Sequence, residues 1–336
     1  MTAPFALVTF ASPGGLRKAG ILVDERISAL SDVLIASRPG LGQSWETASV
    51  MDLLHDWDNS FPLLCRVVDE IRGGLSISRL DPAGLAIHPP VDRPTQVFCT
   101  GANYRKHVVQ LTVDMKVGPE GLQGDDLRRW AEKMMDERAR TGEPYVFTKP
   151  VSAIAGAYDD LHLPTSTKMT DWELELGVVI GRGGYQISRE IAMNHVAGYA
   201  IVNDVSARDL IARTDYKMLG TDWLRSKGQP GFLPFGPSLV PASFVANPQD
   251  LRMKLSVNGQ VMQDESTADM MFDIARQIEY ISRYTRLLPG DLICTGSPAG
   301  NGTHYGRYLQ PGDLMVAQIE GLGEQRVRCL EGAPHE

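Results

Sequence analysis

The sequence lacks several features that would place it in large classes of proteins. Its four cysteines form no C-x-x-C pair, so neither a disulfide framework nor a thiolate zinc site is indicated, and we expect them to be buried apolar residues: Cys65, Cys99, Cys294 and Cys329. No apolar run approaches the roughly 18 residues that a membrane helix needs. Positive charge is also scarce, because 33 Lys and Arg stand against 41 Asp and Glu, a net charge of −8. That balance argues against a nucleic-acid partner.

The N-terminal residues MTAPFALVTFASPGG do not show the basic-then-apolar order of a signal peptide. We therefore expect a cytoplasmic protein that has no membrane partner. With 43% apolar and 22% charged residues, the composition is that of an ordinary folded protein. A length of 336 residues predicts either one large domain or a large domain with a smaller companion.

Prolines mark a domain boundary. Four of them fall within residues 81–94, which neither a helix nor a central strand tolerates well, so this segment is interpreted as a linker. Before it, strand-like runs at 6–10 and 19–23 precede a helical pattern at 51–71. These patterns predict a small N-terminal α/β domain that, with its linker, covers residues 1–90.

Residues 91–332 show mostly short β-branched and aromatic runs separated by turn signals such as Asn258-Gly259. Two helical patterns interrupt them, at 125–140 and 267–284. The predicted fold class is therefore α+β, mostly β.

An acidic strand, Asp-Trp-Glu-Leu-Glu-Leu-Gly-Val-Val-Ile at 171–180, is the most informative segment. Alternation along a strand puts Asp171, Glu173 and Glu175 on one side. An isolated pattern of this kind is typical of a half-exposed strand with its acids in water. Here the following Gly-Val-Val-Ile is apolar on both faces, which indicates a buried strand, and buried like charges need a proton or a cation. A hard divalent cation, Mg²⁺, Mn²⁺ or Ca²⁺, suits ligands that are all oxygen atoms.

A second acidic segment follows the apolar run at 197–202. Asp204 lies where that strand would end, and is a candidate third ligand or a helix-capping or turn residue. Arg208 either binds a substrate carboxylate or forms a structural salt bridge.

Six motifs in order, from about residue 96 to residue 329, resemble the fumarylacetoacetate hydrolase family. They are Gly-Ala-Asn-Tyr-Arg-Lys-His at 101–107, the acidic strand, Asn-Asp-x-Ser-Ala-Arg-Asp at 203–209, Lys227 with Pro-x-Gly-Pro at 234–237, Val-Asn-Gly at 257–259, and Pro-Gly-Asp-Leu-Ile-Cys-Thr-Gly-Ser-Pro-x-Gly at 289–300.

The resemblance implies a mixed β-roll core, a homodimer and a metal-dependent enzyme. It implies these site residues: metal ligands Glu173, Glu175 and Asp204; general base His107; Lys227 beside the metal and substrate; and substrate contacts Tyr104, Lys149, Arg208, Thr295 and Ser297. For Thr295 and Ser297 a tight turn between strands is the structural alternative. The implied partner is a small dicarbonyl acid.

The predicted function is a hydrolase that cleaves a carbon–carbon bond in a 2,4-dioxo or acylpyruvate-type acid from aromatic or sugar-acid catabolism. A carboxylate-held cation keeps positions for two substrate oxygens and polarises the carbonyl, and His107, with an ordinary pKa near 6.5, can take a proton from water. The same site could serve a hydratase, isomerase or decarboxylase, and a non-catalytic binding protein is a lesser alternative.

Two features depart from the compact members of the family. Gln110 stands where many of them have a glutamate three residues after the histidine, and an amide does not stabilise a protonated imidazole. Residues 111–144 are also longer than the usual link. We expect the helix within them either to close over the site as a lid that supplies an acid, or to be a solvated surface helix; its candidate acids are Glu132, Asp136 and Glu137.

Overall fold

The computed structural model describes residues 4–37 and 48–332. The described elements of the N-terminal part are β1 (Ala6–Ala11), β2 (Lys18–Val23), β3 (Arg26–Ala29), α1 (Leu30–Ser37), α2 (Val50–His55), α3 (Trp57–Arg72) and β4 (Ala86–His88). The four strands form one sheet in the order β3-β2-β1-β4, and the three helices pack beside it.

Two expectations for this part need correction. The helical pattern at 51–71 is two helices, because Asp56 leaves the helical conformation and its carbonyl accepts the Ser60 N–H that begins α3. The segment 81–94 is not only a linker, since β4 lies within it and pairs with β1, and the Pro90 carbonyl accepts the Thr9 hydroxyl. The four prolines, at 82, 89, 90 and 94, lie outside β4, so none of them removes a donor from its ladder with β1.

The rest of the chain contains a large mixed sheet and a second, five-stranded sheet. The large sheet comprises β5 (Val97–Gly101), β6 (Tyr145–Thr148), β7 (Ile154–Gly156), β10 (Leu174–Ile180), β11 (Val196–Asn203), β13 (Leu233–Phe235), β14 (Val240–Pro241) and β17 (Leu292–Cys294). The five-stranded sheet comprises β8 (Leu161–Leu163), β15 (Arg252–Val257), β16 (Gln260–Ser266), β18 (Leu314–Ile319) and β19 (Gly323–Glu331). A short ladder joins β9 (Thr170–Asp171) to β12 (Ser206–Ala207).

Five helices accompany these strands: α4 (Arg105–Asp114), α5 (Gly124–Thr141), α6 (Trp223–Lys227), α7 (Ile274–Tyr284) and α8 (Gly302–Tyr305). Helix α5 confirms the pattern at 125–140 and packs on α4 through Val109, Ala131 and Met135. Helix α7 begins later than the pattern at 267–284 predicts, because Asp273 caps it by accepting the Arg276 N–H.

Strand β10 is buried along its whole length and lies at the centre of the large sheet, between β17 and β11. Leu174, Leu176 and Val178 pack into the hydrophobic core on one side, and Val179 packs into the core on the other. The second core also contains Leu7 of β1, so the N-terminal sheet packs directly on the large sheet. The predicted burial of the acidic strand on both faces is confirmed.

Candidate active site and metal centre

Three carboxylates converge where β10 begins and β11 ends. Because these strands are antiparallel and Leu174 pairs with Asn203, the start of one lies beside the end of the other, and the Asp204 N–H donates to the Glu173 carbonyl at 2.8 Å. One oxygen each of Glu173, Glu175 and Asp204 lies within 4.8 Å of the others, and all three side chains are buried. The local backbone pairing therefore creates the cluster that the sequence predicts.

Two buried lysines hold Asp204 in place. Lys149 Nζ donates to Asp204 Oδ1 at 2.5 Å and to the backbone carbonyls of Val205 and Phe232. Lys227 Nζ lies between Asp204 Oδ2 and Glu173 Oε2, at 2.5 Å from each. Burial alone would lower the pKa of Lys227, but the charges of Asp204 and Glu173 more than offset this and raise it. Lys227 therefore stays protonated.

Arg208 joins the cluster to a fourth acid. Its Nη2 donates to Glu173 Oε1 at 2.6 Å and its Nε to Asp171 Oδ2 at 2.8 Å. Asp171 also accepts the backbone N–H groups of Trp172 and Gly302, so it anchors the start of α8. Burial alone would raise the pKa of Glu173, but the charges of Arg208 and Lys227 outweigh burial and hold it well below its ordinary range. Arg208 thus forms a structural salt bridge, which is one of the two roles that the sequence suggested for it. It also lines the cavity described below.

Unlike Glu173, Glu175 is not paired, among the described residues, with cations that offset its burial. Its Oε2 accepts the Gly296 N–H at 2.8 Å, which the positive φ of 99° at Gly296 directs toward it, but no lysine or arginine of the described ranges pairs with it. Burial raises the pKa of the Glu175 carboxyl well above its ordinary value, and the negative charge of Asp204 adds to the shift. A buried carboxylate of this kind lacks a cation.

The balance of charge supports a divalent ion. The site holds four carboxylates, of Asp171, Glu173, Glu175 and Asp204, against three cations, of Lys149, Lys227 and Arg208. When all four acids are ionised, one negative charge is left over. The three clustered carboxylates are oxygen donors of the kind that Mg²⁺ and Mn²⁺ prefer. These residues fit a hard divalent cation, and Glu173, Glu175 and Asp204 would hold it.

His107 lies on the first turn of α4 and faces the same cavity. Burial lowers its pKa to about 4, and Arg208 and Lys227 add to the shift while Glu173 opposes it. The imidazole is therefore neutral at pH 7. Its Nδ1 is buried and has no hydrogen-bond partner among the described residues. Gln110 does not orient the ring, because its Oε1 accepts the Gly300 N–H instead.

A cavity of about 340 Å³ joins these groups. Its polar lining consists of Thr100, His107, Glu173, Glu175, Asp204, Arg208, Lys227, Ser297 and Thr303. Its apolar lining includes Val108, Leu111, Met115, Phe147, Met169, Ile211 and Trp223. The ring of Phe147 stacks on Trp223 with centroids 4.8 Å apart and also faces Lys227 Nζ at 5.3 Å.

Three of the predicted substrate contacts lie outside this lining. Tyr104 is fully buried in the hydrophobic core, and its hydroxyl donates to Met253 Sδ. Lys149 lies behind Asp204 with its side chain fully buried. The Thr295 hydroxyl donates to the Leu176 carbonyl, as expected of a residue in a turn between strands. Arg208 and Ser297 do line the cavity, as do Lys227 and His107.

The acids of α5 do not reach the cavity. Asp136 pairs with Arg105, Glu137 pairs with Arg140, and Glu132 is not among the lining residues. In this structure α5 is a surface helix that packs on α4, and no acid from it replaces the glutamate absent at Gln110. This part of the cavity wall comes instead from Leu111 of α4 and from Met115, which directly follows the helix.

Sequence reasoning missed the apolar half of the site. Phe147 and Trp223 come from segments 76 positions apart, and Met169 and Ile211 from two further loops. Each is an ordinary apolar residue in its own segment, so no local signal distinguished these from core residues.

Comparison with known proteins identifies the class of protein that has this sheet architecture and buried carboxylate cluster. Residues 96–329 match the fumarylacetoacetate (FAA) hydrolase C-terminal family. The chain belongs to this family, and the predicted FAH-like β-roll fold is confirmed.

Individual relatives differ in activity. The chain is 44% identical over 192 residues to 2,4-didehydro-3-deoxy-L-rhamnonate hydrolase of Sphingomonas sp. (strain SKA58), an alignment that covers 56% of this chain and 66% of that protein. It is 38% identical over 236 residues to oxaloacetate tautomerase FAHD2A of Bos taurus, covering 70% and 66%. The match thus spans about two thirds of the length of these curated relatives.

A solved structure resembles the whole fold. The maleylpyruvate hydrolase of Sphingobium sp. SYK-6, in complex with manganese(II) and pyruvate, superposes with a TM-score of 0.69 at 25% identity, covering 98% of this chain and all of that one. Relatives in the family therefore include hydrolases and a tautomerase. Among the helices of the described residues, none is both long and apolar enough to span a membrane.

Proposed function

We propose that this protein is a divalent-metal-dependent hydrolase that cleaves a carbon–carbon bond in a small 2,4-dioxo acid, with Mg²⁺ or Mn²⁺ as its ion. The observation that carries the proposal is one cavity that contains an under-compensated carboxylate cluster, a neutral histidine and two cationic side chains. The rhamnonate hydrolase relative and the manganese complex of the maleylpyruvate hydrolase support it.

In the overall reaction, water adds to the C4 carbonyl and the C3–C4 bond breaks, which yields pyruvate and a second carboxylic acid. A divalent cation held by Glu173, Glu175 and Asp204 supplies Lewis-acid polarisation of substrate oxygens. The neutral His107 imidazole takes a proton from the attacking water and returns it to C3 of the leaving fragment. Burial keeps this base unprotonated at neutral pH.

The remaining polar groups bind and orient the substrate. Arg208 and Lys227 line the cavity as permanent cations and attract the substrate carboxylate. The Ser297 hydroxyl is fixed by Gln263 Nε2 at 3.0 Å and lies in the same lining, where it can donate to a carbonyl oxygen. Fixed donors of this kind reduce the entropy lost on reaching the reactive arrangement.

A second candidate function is tautomerisation of a 2-oxo acid, and one observation favours it. Among the described residues, no carboxylate is bonded to His107, since Gln110 is bonded to Gly300 and the acids of α5 lie elsewhere. An imidazole without an acid to stabilise its protonated form is better suited to moving a proton between carbon and oxygen than to activating water. The oxaloacetate tautomerase relative supports this alternative.

Product analysis separates the two functions. The purified protein, with Mg²⁺ or Mn²⁺, is incubated with a panel of 2,4-dioxo acids and with oxaloacetate while enol absorbance is followed. Hydrolysis predicts stoichiometric pyruvate and a second acid, both lost when His107 is replaced by glutamine. Accelerated ketonisation of oxaloacetate with no fragment from any dioxo acid would overturn the hydrolase in favour of the tautomerase.

We also propose that the protein is a cytoplasmic homodimer. Exposed apolar side chains support self-association, because Met218, Leu219 and Leu224 are 85%, 58% and 70% exposed. Light scattering after size exclusion tests it: a mass near 74 kDa supports the dimer, twice the 36.8 kDa of one chain, and a mass near that of one chain contradicts it.

A further inference from the structure

We propose that the substrate carries a single carboxylate, held at the polar end of the cavity, and an uncharged alkyl-terminated tail, so that the protein selects against 2,4-dioxo diacids. This inference rests on the proposed hydrolase function and narrows its substrate class. Ile211 is the residue that we expect to contact the end of the tail.

The composition of the cavity wall is the first argument. Beyond the carboxylate cluster, the wall includes Leu111 from α4, Met115 just after it, Phe147 from β6, Trp223 from α6, and the loop residues Met169 and Ile211. These side chains come from five separate parts of the chain and none carries a charge. A tail that lies against them loses water on every side.

The second argument is that the cations of the cavity both lie at the carboxylate cluster. Among the described residues that line it, the permanent cations are Arg208 and Lys227. Arg208 is bonded to Asp171 and Glu173, and Lys227 to Glu173 and Asp204. Both therefore lie at the carboxylate cluster, where the substrate's first carboxylate binds.

The cations just outside the lining are bonded to other groups or exposed to solvent. Arg138 Nη1 donates to the Ala102 carbonyl, and its guanidinium lies over the Phe272 ring. Arg105 is paired with Asp136, and Arg213 with Asp215 and Asp222. Lys116 and Lys168 are neighbours of lining residues, but both are exposed to solvent, where water screens them. A second carboxylate on the tail would be desolvated against apolar side chains without a fixed partner, which is unfavourable.

Two acids of equal length test the inference. With the Mn²⁺ form of the full-length protein, kcat/KM is measured for 2,4-dioxoheptanoate and for 2,4-dioxoheptanedioate, which differ only at C7. We expect the monoacid to be preferred at least tenfold. Ile211→Arg places a cation in the wall and is expected to reduce that preference at least tenfold. Ile191→Arg is the matched control, because Ile191 is 48% exposed and lies away from the cavity.

The outcomes separate this inference from the function on which it rests. Cleavage of both acids with the diacid equal or preferred would overturn the tail assignment and leave the hydrolase intact. Cleavage of neither would overturn the hydrolase and the tail assignment with it. If Ile211→Arg does not fold, the wild-type ratio alone decides the substrate class. A folded Ile211→Arg protein that keeps the wild-type ratio would show that Ile211 does not contact the tail.

Discussion

Replacing Glu175 should separate an effect on the stability of the fold from an effect on metal binding. Its carboxyl is buried without a cationic partner, and its pKa is raised well above the ordinary range. Replacing it with glutamine keeps the shape and the acceptor for the Gly296 N–H but removes the charge. In the presence of a chelator we therefore expect Glu175→Gln to be at least as stable as the wild type, because an unpaired buried carboxylate destabilises the fold.

The same substitution should abolish stabilisation by metal. For the wild type, Mn²⁺ at about 100 times its Kd adds about 2.7 kcal/mol to the free energy of unfolding. The entropy of unfolding, about 2.1 cal/mol/K per residue, amounts to about 0.7 kcal/mol/K for a chain of this length. The wild-type Tm should therefore rise by about 4 °C.

Thermal melts with EDTA and with Mn²⁺ measure both effects. Glu175→Gln should show a rise of less than about 1 °C, whereas Glu120→Gln, which changes an exposed acid, should keep the full rise. A Glu175→Gln protein that is still stabilised by metal as strongly as the wild type would refute the assignment of Glu175 as a ligand.

Three further predictions concern His107 and Lys149. His107→Gln should lower kcat by about 10²- to 10⁴-fold while isothermal titration still shows wild-type Mn²⁺ affinity; a kcat within fivefold of wild type contradicts the role of the base. Because burial lowers the pKa of His107 from an ordinary 6.5 to about 4, its neutral form stabilises the fold above pH 6.5, and that stability is lost as the pH falls toward 4. A pKa shift is worth about 1.4 kcal/mol per pH unit, so denaturant titrations of the wild type should show the free energy of unfolding fall by about 3 kcal/mol over this range. His107→Gln should remove this pH dependence, and a variant that keeps it would contradict the assignment to His107. Lys149→Met should cost about 3–5 kcal/mol in urea unfolding, because it leaves Asp204 short of a buried partner; a cost below about 1 kcal/mol would contradict that role.

The carboxylate cluster was predictable from the sequence because its causes are local. Alternation along 171–175 and the apolar residues that follow both survive in the structure, where Glu173 and Glu175 are buried beside Asp204. The ladder between β10 and β11 brings Asp204 to the other two acids, an outcome that the local pattern around Asp204 left open.

Side-chain direction within the motifs could not be predicted. Tyr104 and His107 belong to one short motif, yet the first points into the hydrophobic core and the second into the cavity. Lys149 and Lys227 contact the same aspartate from two directions, and only Lys227 lines the cavity. These differences depend on packing between distant segments, which a motif does not encode.

The helical pattern at 125–140 shows the same limit. Its periodicity predicted the helix, but not where its acids would lie. Arg105 draws Asp136 to the outer surface, and Arg140 lies one turn after Glu137 on the same helix. These ion pairs make α5 a surface helix and not a lid that supplies an acid, and the periodicity of the pattern does not encode them.

Anomalous diffraction from crystals grown with Mn²⁺ tests the central claim most directly. The account predicts a single strong peak about 2.0–2.6 Å from oxygen atoms of Glu173, Glu175 and Asp204, with Lys227 Nζ displaced from its position between Glu173 and Asp204. A fully Mn²⁺-loaded crystal with no peak at these oxygens, and with Lys227 still bridging the two acids, would contradict it.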